Sequence, residues 1–153
     1  MNYAKRLSGL AAALVALGCV SIAQADNCGG RYNNFNVTVE AVEVVKGYSV
    51  AMSSNRHAVT SENSPYTGLG YCVNNMLTFP DGKMRLTYTC IEKDKDGDSW
   101  THSGGLEPGA DKGSWTQVAG TGKFANKVGS GGWWQGTIIE EKVLTGVWGG
   151  TCK

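Results

Sequence analysis

Beyond residue 30, apolar and polar residues alternate along much of the chain, the period-two pattern of β-strands. Phe35, Val37, Val39 and Ala41 alternate with Asn36, Thr38 and Glu40, which predicts a half-buried strand. The phase slips at Ala41-Val42, which predicts a bulge. Lys46-Gly47 predicts a tight turn. Tyr48, Val50 and Met52 alternate with serine and alanine in a second strand, and a third short strand is predicted over 57–60. A Ser-, Pro- and Gly-rich loop follows over 61–70. Later strands are predicted over 98–102, 114–119, 133–140 and 143–148, separated by loops over 104–113 and 120–132. No segment repeats its apolar residues at helical spacing for three turns. Short strands in this number, joined by Gly-rich turns, indicate an antiparallel sandwich or a closed barrel.

One hairpin carries its own register. Proline presets the first position of the turn Pro80-Asp81-Gly82, and glycine tolerates the left-handed position that ends it. A type I turn with a glycine bulge pairs Phe79 with Lys83, so that paired numbers sum to 162. Cys72 and Cys90 satisfy the same sum. They fall on a non-hydrogen-bonded pair, where Cα atoms approach to about 4.5 Å, within reach of a disulfide. Asp96-Gly97 predicts a further hairpin turn.

The first segment stands apart from this pattern. Lys5 and Arg6 precede an apolar, alanine-rich run from Leu10 to Val20, and Ala23-Gln24-Ala25 has the form of a cleavage site. These features read as a secretory signal peptide over 1–25, cleaved before Asp26, with a single domain over 26–153. The run is shorter than the ~20 apolar residues that span a bilayer, so no membrane span is expected. Of 153 residues, removal of 25 leaves 128, and with them go Cys19 and two basic residues. Four cysteines remain: Cys28, Cys72, Cys90 and Cys152. An even number in an exported domain reads as disulfides, periplasmic or secreted, and leaves no thiols for a metal site. Four cysteines allow three pairings. With Cys72–Cys90 set by the hairpin, the remaining pair Cys28–Cys152 joins the chain ends. That favours a barrel over a sandwich, since closure places the first and last strands side by side and removes both sheet edges. The expected fold is all-β, a single antiparallel barrel of eight strands.

Composition narrows the partners. The formal net charge of +1 over the whole chain argues against nucleic acid. The hydrophobic content of 41% argues against disorder, and 22 glycines without a three-residue period argue against collagen. Nine of the 20 glycines of the mature chain lie beyond residue 119.

The most specific local motif is Gly120-Thr121-Gly122-Lys123-Phe124, followed by Gly129-Ser130-Gly131-Gly132-Trp133. A phosphate cradle would need a helix after the glycines within a βαβ unit, and here a tryptophan-rich strand follows. The motif, from about Ser114 to Gly136, resembles that of the allene oxide cyclase-like and dirigent-like barrels, with the closer likeness to small exported bacterial proteins of that type. The resemblance implies an eight-stranded calycin-like barrel with an apolar lumen, often oligomeric, and in the plant members a reactive ligand that is steered through cyclisation or coupling. It transfers no catalytic residue.

Candidate site residues are few. Trp115, Trp133, Trp134 and Trp148 are expected either to fill the barrel or to form an aromatic platform for a ligand; Trp133 and Trp134, being adjacent, must face opposite ways. Glu92, Asp94 and Asp96 resemble the start of a calcium loop, but Ser103 stands where its bidentate glutamate is required, so the segment reads as a solvated hairpin tip. For general acid–base chemistry the candidates are His57 with Glu62, His102 with Glu107, and the polar residues Tyr66, Tyr71, Tyr88 and Arg85. No nucleophile elbow, metalloprotease helix or catalytic cysteine pattern is present. The expected function is binding of a small apolar or aromatic molecule in the lumen of an exported barrel, without cofactor or metal. The alternatives are a cyclase or isomerase of the allene oxide cyclase-like type, and an envelope interaction module working through its outer wall.

Overall fold

The computed structural model describes residues 27–140 and 142–153; the predicted signal peptide and its cleavage site lie outside the described residues. Eight strands follow one another: β1 (Cys28–Val45), β2 (Tyr48–Ser61), β3 (Gly68–Thr78), β4 (Met84–Lys93), β5 (Ser99–Leu106), β6 (Gly113–Gly120), β7 (Gly131–Glu140) and β8 (Val143–Thr151). Each pairs antiparallel with the next. β8 pairs with β1 from Cys28↔Gly150 to Asn34↔Leu144, which closes the barrel.

The Pro80-Asp81-Gly82 hairpin forms as its chemistry dictates. Gly82 sits at φ 78°, its N–H donates to the Phe79 carbonyl at 2.9 Å, and the Phe79 N–H donates to Lys83 at 2.9 Å. The register then runs unbroken from Thr78↔Met84 to Leu69↔Lys93 and places Cys72 opposite Cys90. Both disulfides are present, Cys72–Cys90 across the hairpin and Cys28–Cys152 between the chain ends. Disulfides mark an oxidising compartment.

Other segments differ from expectation in instructive ways. The predicted second and third strands are one strand, β2. Ser53 and Asn55, which lie between the two predicted strands, point into the lumen and are buried. Val50 and Met52 point out and are exposed. The β1 bulges lie between Phe35 and Thr38 and between Glu43 and Val45, rather than at Ala41-Val42. Past Asn34, β1 runs beyond its β8 partner and pairs only with β2. Residues 38–45 are exposed on both faces of this projecting hairpin, so Val39 and Ala41 are not half-buried. β5 continues through Gly104 and Gly105, inside the loop predicted over 104–113. A Cβ on Gly104 would sit 1.9 Å from the Ser114 carbonyl oxygen, so only glycine lets β6 approach so closely. The 120–132 segment contains a short 3-10 turn over Gly122–Lys127.

The Gly-Thr-Gly motif forms a corner. Gly122 has φ 48° and packs on the Asp98 carboxylate, the Thr121 hydroxyl accepts the Ser99 N–H at 2.9 Å, and Phe124 turns inward to complete burial. With Tyr66 from the 62–67 loop, Phe124 caps one end of the barrel. Tyr66 touches Trp100, Trp115, Phe124 and Trp148 with ring centroids 5.4–6.1 Å apart, and its hydroxyl donates to the Gln117 side chain. This aromatic plug is the hydrophobic core. The opposite end is a mouth.

Replacing Cys28 and Cys152 by serine should lower unfolding stability by about 3–5 kcal/mol, because their bridge spans 124 residues; the Cys72/Cys90 pair, spanning 18, should cost less. Chemical denaturation of the two double variants checks the ranking.

Candidate functional site

Strand parity decides what faces the lumen. Cys90 points inward, so Tyr88 and Glu92, two residues to either side on β4, must do the same. Across the sheet, His57 of β2 pairs with Gly70 of β3, and Gly70 pairs with Glu92 of β4. Glycine between them leaves the row open. A Cβ on Gly70 would lie 1.9 Å from the Ile91 carbonyl oxygen and 2.7 Å from the Glu92 Cα. Over this gap His57 Nδ1 meets Glu92 Oε1 at 2.6 Å. His102, opposite Cys90 on β5, brings its Nδ1 to 3.4 Å from Glu92 Oε2.

Glu92 is 1% exposed and His57 7%. Burial works against the carboxylate's charge, but His102 by its charge and His57 by its hydrogen bond and charge outweigh it and hold the Glu92 carboxyl below its ordinary value. Glu92 Oε2 accepts no hydrogen bond. Two phenols stand over the pair. Tyr32 lies edge-on to His57 at 5.7 Å and Tyr88 edge-on to His102 at 5.7 Å. Burial pushes both phenols well above their usual range, so both are protonated donors at neutral pH. Tyr88 donates to the Ser114 carbonyl at 3.1 Å, whereas the Tyr32 hydroxyl is buried without a partner.

Above this tier the lumen has two kinds of wall. On the β1–β3 side Asn34, Ser53, Asn55 and Asn74 form a hydrogen-bonded group. Asn55 donates to Asn34 at 2.9 Å, and Asn74 donates to Ser53 Oγ and to Asn55, each at 2.9 Å. On the other side stand Trp134, Leu86 and Leu144. Trp134 lies against Gly113, where a Cβ would overlap its ring, and its indole N–H donates to the Ser114 carbonyl at 3.0 Å. Between plug and mouth is a cavity of about 110 Å³. An engineered apolar cavity of about 150 Å³ holds benzene, so this one has the scale of a single ring.

The candidates named from sequence divide as follows. His57, Tyr88 and His102 share the lumen, and Trp115, Trp134 and Trp148 line the cavity. Trp133 does not line it; it faces out, with the Lys112 ammonium 4.0 Å from its ring centroid. Glu62 is exposed in the loop after β2, and Glu107 pairs outside the barrel with Arg85 at 3.2 Å, so neither is the partner of a histidine. Tyr66 belongs to the plug, and Tyr71 faces out, where it accepts a hydrogen bond from Arg56 at 3.1 Å. Glu92 is the acid that sequence reasoning misplaced: it had been read as part of an acidic hairpin tip. At that tip Asp94 Oδ1 caps the turn by accepting the N–H groups of Asp96 and Asp98, and Lys123 pairs with both Asp94 and Asp96. The calcium-like spacing is therefore met by lysine and backbone.

The chain matches no protein-family model, no curated protein and no solved structure.

Chemically, the arrangement offers a buried carboxylate between two imidazoles, in reach of a cavity. Such a set can accept or return a proton at one imidazole while the carboxylate stabilises the imidazolium. Because the native Glu92 carboxyl titrates below its ordinary 4.5, its contribution to stability is present above pH 4.5 and is lost as pH falls through the lower native value. Glu92→Gln should cost about 1–3 kcal/mol at neutral pH, from the weakened buried hydrogen bond and lost charge. The difference from the parent should shrink steadily below pH 4.5. Urea unfolding of both proteins across the acid range measures this; a constant difference would contradict it.

Proposed function

We propose that the protein binds a small molecule of about one ring in its lumen, with a polar group directed to the His57–Glu92–His102 tier. The observation that carries this reading is the cavity itself. It is closed at one end by aromatic rings, floored by ionisable groups, and bounded at the mouth by an amide group on one side and Trp134, Leu86 and Leu144 on the other. Sites of this kind combine an apolar body with a few placed polar groups. The size favours compact aromatic or cyclic apolar compounds. A long acyl chain would have to leave most of its length outside the mouth.

A second reading, a cyclase or isomerase like that suggested by the glycine motif, draws support from the same tier. The His57–Glu92 pair could move a proton on a bound carbonyl compound, with Tyr32 supplying an unsatisfied hydroxyl over the ring. Binding is common to both readings and is the one to test first.

Trp115, Trp134 and Trp148 line the cavity, so a bound ring should change intrinsic fluorescence. Titration with a panel of monocyclic acids, phenols and ketones should yield saturable changes for some members, and longer acyl chains should not bind more tightly. Leu144→Trp, which fills the mouth, should abolish the response while the far-ultraviolet spectrum is unchanged. No saturable change across the panel, or a response that survives Leu144→Trp, would overturn the proposal.

A further inference from the structure

The lumen holds a donor set that adds to His57 and Glu92 two sulfurs that neither reading above uses. One donor atom from each of His57, Cys72, Cys90 and Glu92 lies within 4.8 Å of all the others, and all four residues are buried. We propose that reduction of the Cys72–Cys90 disulfide turns this part of the lumen into a tetrahedral zinc site with one nitrogen, one oxygen and two sulfur ligands. This goes beyond the binding proposed above and does not depend on it.

In the oxidised protein the two sulfurs are bonded to each other and cannot serve as thiolate ligands. Once reduced they are ideal partners for the other two donors. Zinc takes sulfur at about 2.3 Å and nitrogen or oxygen at about 2.0–2.2 Å, so donors around it lie roughly 3.3–3.8 Å apart. The present donors need only close by about an ångström while the sulfurs part, within reach of side-chain rotation. Glu92 is already prepared for this. Its buried Oε2 accepts no hydrogen bond and stands 3.4 Å from His102. His102 is thus a positioning residue for the carboxylate, as outer partners are for zinc ligands generally. The mixed donor set suits zinc, which takes sulfur, nitrogen and oxygen together; a carboxylate is a poor ligand for cuprous ion.

The placement of the bridge supports a role beyond cross-linking. It joins two strands that the Pro80-Asp81-Gly82 turn already pairs from Thr78↔Met84 to Leu69↔Lys93, so the hairpin keeps its register without it. The sulfurs line the cavity beside the ionisable tier, rather than sitting on the outer wall. Cys28–Cys152, by contrast, is the bridge between the chain ends, and the described residues place no such donor group around it.

The steps balance. A small dithiol entering the lumen attacks one sulfur, and its second thiol resolves the mixed disulfide. The protein gains two electrons and two protons, and the dithiol becomes a disulfide. A zinc ion then displaces the two thiol protons; the hydrogen bond between His57 Nδ1 and Glu92 Oε1 breaks, neutral His57 ligates through the ring nitrogen that carries no proton, and two Zn–S bonds, one Zn–N and one Zn–O bond form.

The test is zinc uptake by the purified full-length protein, oxidised and after phosphine reduction, in competition with a chromogenic chelator. Cobalt(II) serves as a second probe, because thiolate ligation gives a charge-transfer band. The oxidised protein should take up no stoichiometric zinc, and the reduced protein one equivalent with the cobalt–thiolate band. Cys28→Ser/Cys152→Ser should retain uptake after reduction, and Cys72→Ser/Cys90→Ser should lose it. His102→Ala should weaken affinity by about 10–100-fold, as expected for an outer partner. Equal uptake by oxidised and reduced protein, no uptake by the reduced protein, or undiminished uptake by Cys72→Ser/Cys90→Ser would overturn the proposal. If the reduced protein loses its near-ultraviolet signal, one equivalent of zinc should restore it in the parent and not in Cys72→Ser/Cys90→Ser; failure to restore it would equally overturn the proposal.

Discussion

A carboxylate with almost no exposure sets the terms for the whole interior. Isolated, the Glu92 charge would be intolerable in so dry a place, and the group would take up a proton instead. Its ionisation depends on His57 at 2.6 Å and His102 at 3.4 Å, one from each side. Those two imidazoles come from β2 and β5, so the pair can exist only where four strands keep their register. His57 reaches past β3 because the residue between is Gly70, with no side chain to block the row. The hairpin turn at Pro80-Asp81-Gly82 fixes which face of β4 looks inward, and thereby whether Glu92 meets histidine or water. The mouth, plug and cavity are arranged around this charge.

Much of the frame is legible in the residues, and the reasons are local. A proline, an aspartate and a glycine specify a turn; the turn specifies a register; the register pairs Cys72 with Cys90 and leaves Cys28 for Cys152. Glu92 is less legible because its neighbours mislead. It begins a run of alternating acid and base in which Lys93, Lys95 and Asp96 are exposed, and composition assigns the whole run to solvent. The signal that separates it is parity: a residue two beyond a lumen-facing cysteine on the same strand also faces the lumen. The partnership with His57 lay further out of reach. It needs the β2–β3 register, and the connection between them, 62–67, has no turn chemistry that sets one. Glu62 is near His57 in the chain and far from it in function, because five residues along a strand carry it to the closed end and out to solvent.

β2 shows the same limit of pattern reading. Period-two alternation identifies a strand without saying which face is inside. Val50 and Met52 invited one phase, and the structure adopts the other, with Ala51, Ser53, Asn55 and His57 inward. The inner face of this wall is polar because it borders a lumen rather than a packed core. A half-buried strand of a solid domain would show the opposite phase.

The glycines complete the account of why the lumen is shaped as it is. An eight-stranded barrel is just wide enough for side chains to fill it. Large rings can stand inside only where facing positions give way. Tyr32 lies over Gly136 and Gly146, where an added Cβ would approach its ring or hydroxyl within 2.5 Å, and Trp134 lies over Gly113. Tyr88 passes beside Gly104 in the same manner. These positions hold the rings against the wall rather than across the lumen. Further down the barrel, Tyr66, Trp100 and Phe124 fill the interior completely. The contrast makes one end of the barrel a solid core and the other a cavity. A ligand entering from the mouth therefore meets a fixed floor of imidazole and carboxylate. It must lie between an amide wall and an indole wall, an asymmetry that orients a ring with one polar edge in a single way.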